Sequence, residues 1–522
     1  MGKKQNYLEI FILILLLFWY GFLIAKKIDL TTADLGRHLK NGELILKNFN
    51  SNLLKTNFYS YTHSDYPFLN HHWGSGVIFF LVKCIAGFTG LSLFYIGLST
   101  FVFLLFLRLA QKTSNTTIAF LVAFFLAPLI AERKEVRPEI FSYLFSGLFF
   151  WILWHYKQNP NLYRFCVLLG LPALEILWVN THIYFFLGPL IIGVFLLEEL
   201  IKQTKKWSKK IKQLTLAILT TTTASFLNPF GIKILLYPLN MSKNYGYKIV
   251  ENQSVWFLEK LNINNPNFLL FKISFVLLVL SFAAVLIFCR RRFSLTLFIL
   301  SMFFNLIAWF AIRNFTLAGL FALPALAYNI KAGIAQKFQS SSHPMSAGLA
   351  ILIIGIFAFT IANNYQLLAS RKNKFGFGLA PLNNSSAEFF KTQNIKGPIF
   401  NNYDIGSYLI YHFYPQEKVF VDNRPEAYPA SFFKKVYIPM QENENIWQKQ
   451  NTIYKFNAIF FSYHDATPWG QNFLIKRLND PLWTPVFADP YAIIFLKNNK
   501  TNQPIIEKYK IPKKFFRITT VP

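Results

Sequence analysis

Phe268-Leu-Leu-Phe-Lys-Ile-Ser-Phe-Val-Leu-Leu-Val-Leu-Ser-Phe-Ala-Ala-Val-Leu-Ile-Phe-Cys289, followed at once by Arg290-Arg-Arg292, decides what kind of chain this is. The apolar stretch has the roughly 20 residues that a helix needs to cross a bilayer core, and the arginines mark the end that stays in the cytoplasm. Runs of this kind recur from residue 8 to residue 363 and then stop. With 53% hydrophobic residues, 59 Phe and a mean hydropathy of +0.33, the chain is too apolar to be soluble. The spacing predicts spans at 7–25, 91–110, 116–131, 139–156, 165–180, 183–201, 213–227, 268–289, 293–312, 315–330 and 346–363.

The first run follows Met1-Gly-Lys-Lys4 and runs into Lys26-Lys27 without a small-residue cleavage site, so it reads as a retained span. Another apolar run, Trp73 to Gly87, is settled by charge. If it crossed, the basic loop Lys202–Lys212 and Arg290–Arg292 would lie outside, against the positive-inside rule. As a membrane-surface helix it leaves both in the cytoplasm. The expectation is therefore an α-helical polytopic membrane protein of the cell membrane, with about 11 transmembrane helices and a cytoplasmic N-terminus. Residues 1–369 form its membrane domain, with an external loop at 26–90, and residues 370–522 a soluble extracytoplasmic α/β domain.

The formal charge of +29 is scattered among loops and tail, which fits topology and anionic lipid headgroups and not a nucleic-acid partner. Cys84, Cys166 and Cys289 lie in apolar segments with no zinc-type spacing. In the tail, Pro398–Asn402, Lys418–Asp422 and Ala458–Ser462 read as strands, Ile405–Phe413 and Gln471–Leu478 as helices, and Pro485–Phe487 with Ala492–Leu496 as a terminal strand pair. There is no internal repeat and no Gly-rich phosphate loop.

The external loops hold nearly all the unusual polar residues of the membrane half. The first reads Asp34-Leu-Gly-Arg37-His38-Leu, then Phe58-Tyr-Ser-Tyr-Thr62, then Asn70-His71-His72-Trp73. Spacing of three and four puts Arg37 and His38 on the Asp34 face of a short helix, where they can orient an ionised carboxylate that accepts a proton from an attacking hydroxyl. A helix cap or a surface ion pair is the plain alternative. His71 and His72 titrate near neutral pH and are candidates for substrate binding, but no acidic partners stand at metal-ligand spacing.

This pattern, Asp34-x-x-Arg37-His38-Leu-x-x-Gly42, Phe58-Tyr-Ser60-Tyr-Thr62 and His71-x-Trp73, resembles the first external loop of the GT-C glycosyltransferase superfamily. It is most like the bacterial proteins similar to protein O-mannosyltransferases and lipid A aminoarabinose transferases. The resemblance implies a polyprenyl-phosphate sugar donor, catalysis on the outer face, and Asp34 as the acidic residue that acts as base or orients the acceptor. Leu35-Gly36 stand where the pattern has two aromatics, and His72 where it has Glu.

A second cluster, Glu132-Arg-Lys-Glu135-Val-Arg137-Pro-Glu139, falls outside, where positive-inside gives it no excuse. Arg137 suits bidentate grip of a phosphate, with Glu132, Glu135 or Glu139 assisting the acceptor. Arg313, at the outer end of a span, suits the same phosphate or a lipid headgroup. Asn180 and His182 lie in a short external turn that either lines the cavity or simply joins two helices. Asp422 and Arg424 read as a turn pair or, at a strand end, as a ligand site.

The resulting expectation is a glycosyltransferase that moves a sugar from a polyprenyl-phosphate donor to a glycan, lipid or protein acceptor. Asp34, Glu132 and Glu139 are its candidate catalytic residues, and no cofactor or metal is called for. The alternatives are a transporter or flippase of lipid-linked glycans and a catalytically degenerate GT-C-like scaffold.

Overall fold

The computed structural model describes residues 2–516 except Ala33, 203–207, 241–242, 244, 335–373 (Gly355, Ala358 and Ala362 apart), Tyr463 and Ala466. The predicted span 346–363 lies outside the described residues. The chain divides into two compact units, one of residues 1–27, 89–238 and 249–377, the other of 28–88, 239–248 and 378–522.

Helices stand at the other ten predicted spans. They begin with α1 (Gly2–Ile24), followed by α2 (Leu35–Lys47) in the first loop and α3 (Trp73–Thr113). Then come α4 (Thr116–Ile130), α5 (Glu139–Gln158), α6 (Pro160–Thr181), α7 (Ile183–Lys202) and α8 (Lys209–Ala224). The membrane half closes with α9 (Pro266–Phe288), α10 (Leu295–Phe310) and α11 (Phe315–Ile334). Among the described residues, α3, α6, α7, α9 and the stretch Ile312–Gly333 are long and apolar enough to cross a membrane. The chain is a multi-pass membrane protein.

Their starts are written locally. Asn115, Ser208, Asn265 and Ser294 cap α4, α8, α9 and α10 by accepting from backbone N–H groups in the first turn, donors that would otherwise be left without partners. The run at Trp73–Gly87 and the span at 91–110 form one helical stretch broken at Gly87, whose φ of 65° and ψ of −167° fall where only glycine sits easily.

The second unit contains a four-stranded sheet in the order β1 (Ile399–Asn401), β2 (Ala458–Phe461), β4 (Ile493–Lys497), β3 (Trp483–Ala488). β1 runs parallel to β2, and β2–β4 and β4–β3 are antiparallel. β1 and β2 are buried along their length, as apolar strands covered on both faces must be. Trp447 of α14 (Glu444–Tyr454) and Phe473 of α15 (Gly470–Asn479) pack on Phe400 of β1, each with ring centroids 5.2 Å away. Two further helices, α12 (Ser385–Thr392) and α13 (Gly406–Phe413), belong to this unit.

The predicted strand Lys418–Asp422 does not join the sheet. Val419 instead makes an isolated parallel bridge with Ser60, and Tyr61 N donates to Val419 O at 3.1 Å. Its alternating pattern is satisfied by the first loop, which belongs to the same unit. That loop is pinned elsewhere too. A Cβ on Gly36 would lie 2.7 Å from Ser407 O, and one on Gly42 2.2 Å from Gly76 O, so α2 packs backbone to backbone against α13 on one side and the start of α3 on the other.

Candidate active site

Within the second unit, Asp34 stands immediately before α2. Its Oδ2 accepts from Arg37 Nη2 and lies the same 3.2 Å from His38 Nε2. The spacing of three and four predicted from the sequence is thus realised as a shared oxygen. Arg37 and His38 are buried, and Arg37 N donates to Ser407 Oγ at 2.8 Å, which fixes the first turn against α13. Arg37 Nε and Nη1 are buried with no hydrogen-bond partner among the described residues. A guanidinium in that condition has unspent capacity for an acceptor. The His72 ring meets His38 edge-on at 5.4 Å and lies 3.9 Å from His71, whose Nδ1 is 3.0 Å from Leu69 O. His71 and His72 therefore back the Asp34 turn.

Carboxylates that the sequence reading passed over gather in the same unit. Burial, with Asp465 nearby, pushes the Asp404 carboxyl up to about 7. Burial also raises Glu426, and its backbone hydrogen bond and Arg37 offset this only in part. Burial and then the charges of Glu426, Asp404, Asp422 and Asp34 hold the Tyr403 phenol well above its ordinary value. Tyr247 stacks on that ring at 4.1 Å. Asp404 falls between a predicted strand and a predicted helix and Glu426 two residues past Arg424, and in a chain with 24 acidic against 53 basic residues their acidity was the available signal. Asp422 is the turn residue: Arg424 donates to both of its carboxylate oxygens.

The first unit assembles the second predicted cluster into an ion network. Arg133 Nη2 bridges Glu139 Oε1 at 2.9 Å and Glu251 Oε2 at 2.8 Å. Arg137 pairs with Glu135 at 2.8 Å and Glu251 at 2.9 Å, and Lys26 reaches Glu135 at 2.8 Å. Arg313 Nη2 donates to Glu139 Oε1 and its Nη1 to Asn252 Oδ1, both at 2.9 Å. Burial raises the Glu135 carboxyl, but Lys26 and Arg137 outweigh it and hold that group at about 2. Glu251 is likewise drawn down against its burial by Arg133 and Arg137. Four cations thus face three carboxylates, an arrangement that holds the guanidinium forks spread and charged.

Glu251 was not singled out in the sequence, since it lies far along a loop with no local motif. Glu132 turns instead to the start of α9, where Asn265 donates to it at 2.8 Å and Asn267 also bonds it. Asn180 donates to the carbonyls of Ile176 and Leu227 at 2.8 and 2.9 Å. His182 is buried, with Ser142 Oγ 2.6 Å from its Nδ1 and Trp178 donating to that hydroxyl at 2.7 Å. Among the described residues no three His, Cys, Asp or Glu side chains gather as a metal-ligand set.

No protein-family model and no curated protein matches the sequence. The fold does have solved counterparts. The oligosaccharyltransferase of Archaeoglobus fulgidus in its apo form superposes with a TM-score of 0.60 at 11% identity, over 96% of this chain and 76% of that one. The same enzyme tethered to an acceptor peptide gives 0.58 at 10% identity, over 96% and 75%. In complex with an inhibitory peptide and a dolichol-phosphate, it gives 0.57 at 10%, over 95% and 75%. At such identity the likeness shows the fold alone, which this chain shares with that oligosaccharyltransferase.

Proposed function

We propose that this chain is a GT-C-type membrane glycosyltransferase that moves a glycan from a polyprenyl-phosphate-type lipid to an acceptor on the outer face of the cell membrane, with eleven crossings and a cytoplasmic N-terminus. The observation that carries the reading is the Asp34 carboxylate, one oxygen of which is shared by Arg37 and His38 at the head of a helix in the first loop. The fold supports it, since the solved counterpart holds a dolichol-phosphate in one complex and an acceptor peptide in another.

In this reading the acceptor's hydroxyl or amide hydrogen-bonds to Asp34. Its lone pair forms the new bond to the anomeric carbon as the bond from that carbon to the donor phosphate oxygen breaks. The phosphate departs with the electron pair, and the acceptor proton passes to Asp34. Arg37, whose Nε and Nη1 are buried with no hydrogen-bond partner among the described residues, steadies the negative charge that grows on the leaving phosphate. Displacement from the opposite side inverts the anomeric centre, as the GT-C resemblance implies.

The test uses full-length protein in detergent or proteoliposomes, a panel of polyprenyl-phosphate-linked glycans, and peptide and glycan acceptors. Asp34→Asn is expected to lower turnover by about 10²- to 10⁴-fold. Equal turnover in both forms would remove Asp34 from the mechanism. No turnover with any donor, together with movement of a lipid-linked glycan across the vesicle, would turn the reading to a transporter.

A further inference from the structure

A cavity of about 450 Å³ opens in the second unit, away from the turn that holds Asp34, between the later turns of α2, the start of α3, α12 and α13. Its titratable lining includes Lys40, Lys47, Lys83, Lys391 and the neutral His412 against the single carboxylate of Glu43. That carboxylate is already committed, since Lys40 and Lys47 donate to its two oxygens at 2.8 and 2.9 Å. Among the described residues neither Lys83 nor Lys391 forms a salt bridge, although Glu388 favours the charged form of Lys391; each lies over an aromatic ring, Phe88 at 5.9 Å and Phe413 at 5.8 Å. His412 Nε2 is buried there with no hydrogen-bond partner among the described residues.

Such a grouping is costly as it stands. Burial, then Lys391 and Lys40, pushes the His412 imidazole down to about 3, and burial with Lys40 lowers the Lys391 ammonium. The same field lowers the energy of any anion that enters. Ammonium groups from separate walls suit a phosphate, whose charge is spread over several oxygens facing different ways, better than a planar carboxylate.

The rim says where the phosphate comes from. Leu81 and Ile85, one turn apart at the start of α3, are 44% and 85% exposed on either side of Lys83 and Cys84. Leu46 and Phe49 stand 49% and 65% exposed beside Lys47. Large apolar side chains set out among lysines are what a helix presents when it lies in the headgroup layer.

We propose that this cavity binds the phosphate of an anionic membrane lipid, with Lys83 and Lys391 as the principal donors and the exposed apolar rim resting among the acyl chains. The site is separate from the transferase reading and stands or falls apart from it.

Cys84 lines the cavity and serves as the native reporter. Full-length protein in neutral detergent is treated with a maleimide, and labelling of Cys84 is followed by peptide mass spectrometry, with the exposed Cys166 as internal control. Short-chain phosphatidylglycerol is expected to slow Cys84 labelling about tenfold at about ten times its Kd and to leave Cys166 unchanged. Phosphatidylcholine at the same concentration is expected to do neither. In Lys83→Gln/Lys391→Gln the lipid concentration needed rises about tenfold or more. Protection by inorganic phosphate as strong as by phosphatidylglycerol would overturn the lipid source in favour of a soluble phosphate. Protection by phosphatidylcholine to the same degree, or no protection at all, would overturn the site. Because the wild-type measurement needs no substitution, it decides the matter even where the double variant does not fold.

Discussion

Arg424 grips Asp422 with two nitrogens, Nε to Oδ1 at 2.8 Å and Nη2 to Oδ2 at 2.6 Å, and the pair is sealed from solvent. The same Nη2 also donates to Asn57 Oδ1 at 2.6 Å, and the guanidinium lies over the Phe68 ring at 4.6 Å. The pair therefore fastens the first loop within the second unit and leaves Asp422 little freedom to act on a ligand. Arg424→Met strands a buried carboxylate and is expected to cost about 3–5 kcal/mol, read as a lower apparent unfolding midpoint in detergent. The double variant Asp422→Asn/Arg424→Met should recover part of that loss. If Asp422→Asn instead abolished transfer at an unchanged midpoint, Asp422 would have to be counted among the ligand-binding groups.

Gly42→Ala is expected to be poorly tolerated. Its Cβ would fall 2.2 Å from Gly76 O and 2.7 Å from Phe80 Cβ, and both neighbours belong to a helix with no room to yield. A loss of about 1–3 kcal/mol follows from overpacking of this kind, measured by unfolding midpoint and yield. Gly97→Ala, where nothing lies within 4 Å of the new carbon, is the matched control. Equal behaviour of the two variants would contradict the close crossing of α2 and α3.

Asp404 makes stability depend on pH in a defined direction. Its carboxyl titrates near 7 when folded against 3.8 ordinarily. Between those values the folded chain keeps a proton that the unfolded chain gives up, so this group's contribution falls as pH rises through the window and levels off above it. Asp404→Asn, which mimics the protonated form, should match wild type near pH 4 and exceed it at pH 8 by on the order of 2–4 kcal/mol. Midpoint differences that stay flat across that range would remove the raised carboxyl.

Orientation is open to direct chemistry. Ser208 caps α8 beside the basic loop placed in the cytoplasm. In a background with Cys84 and Cys166 changed to Ser, Ser208→Cys should react with an impermeant maleimide only after the membrane is permeabilised. Labelling of intact cells would reverse the placement of every external loop.

The helices of the membrane half were legible because their signal is local: an apolar run of bilayer length, an Asn or Ser ahead of it, a basic cluster behind it. β1, β2 and the β3–β4 pair were legible for a similar reason, as short apolar runs bounded by Pro, Asn and Asp. The Asp34 turn could be read because three residues within five positions carry it. Lys418–Asp422 misled because a strand-like pattern does not say what it pairs with, and here Val419 pairs with Ser60. Glu251 was invisible for the complementary reason, since its partners Arg133 and Arg137 are more than a hundred positions away. Glu132 bonds two side chains at the start of α9 and Asn180 two backbone carbonyls, partners that no local pattern announces.

The bond from Arg37 N to Ser407 Oγ spans 370 positions of chain. At roughly 5–20 residues per second of synthesis, roughly 20–70 s separate the appearance of the two partners. During that interval α2 has been made without the helix that accepts from the Arg37 backbone N–H. Assembly of the turn is thus a late event in the birth of the molecule. A ribosome that stalls or terminates early leaves the spans in the membrane and a first loop whose α2 lacks its anchor on Ser407.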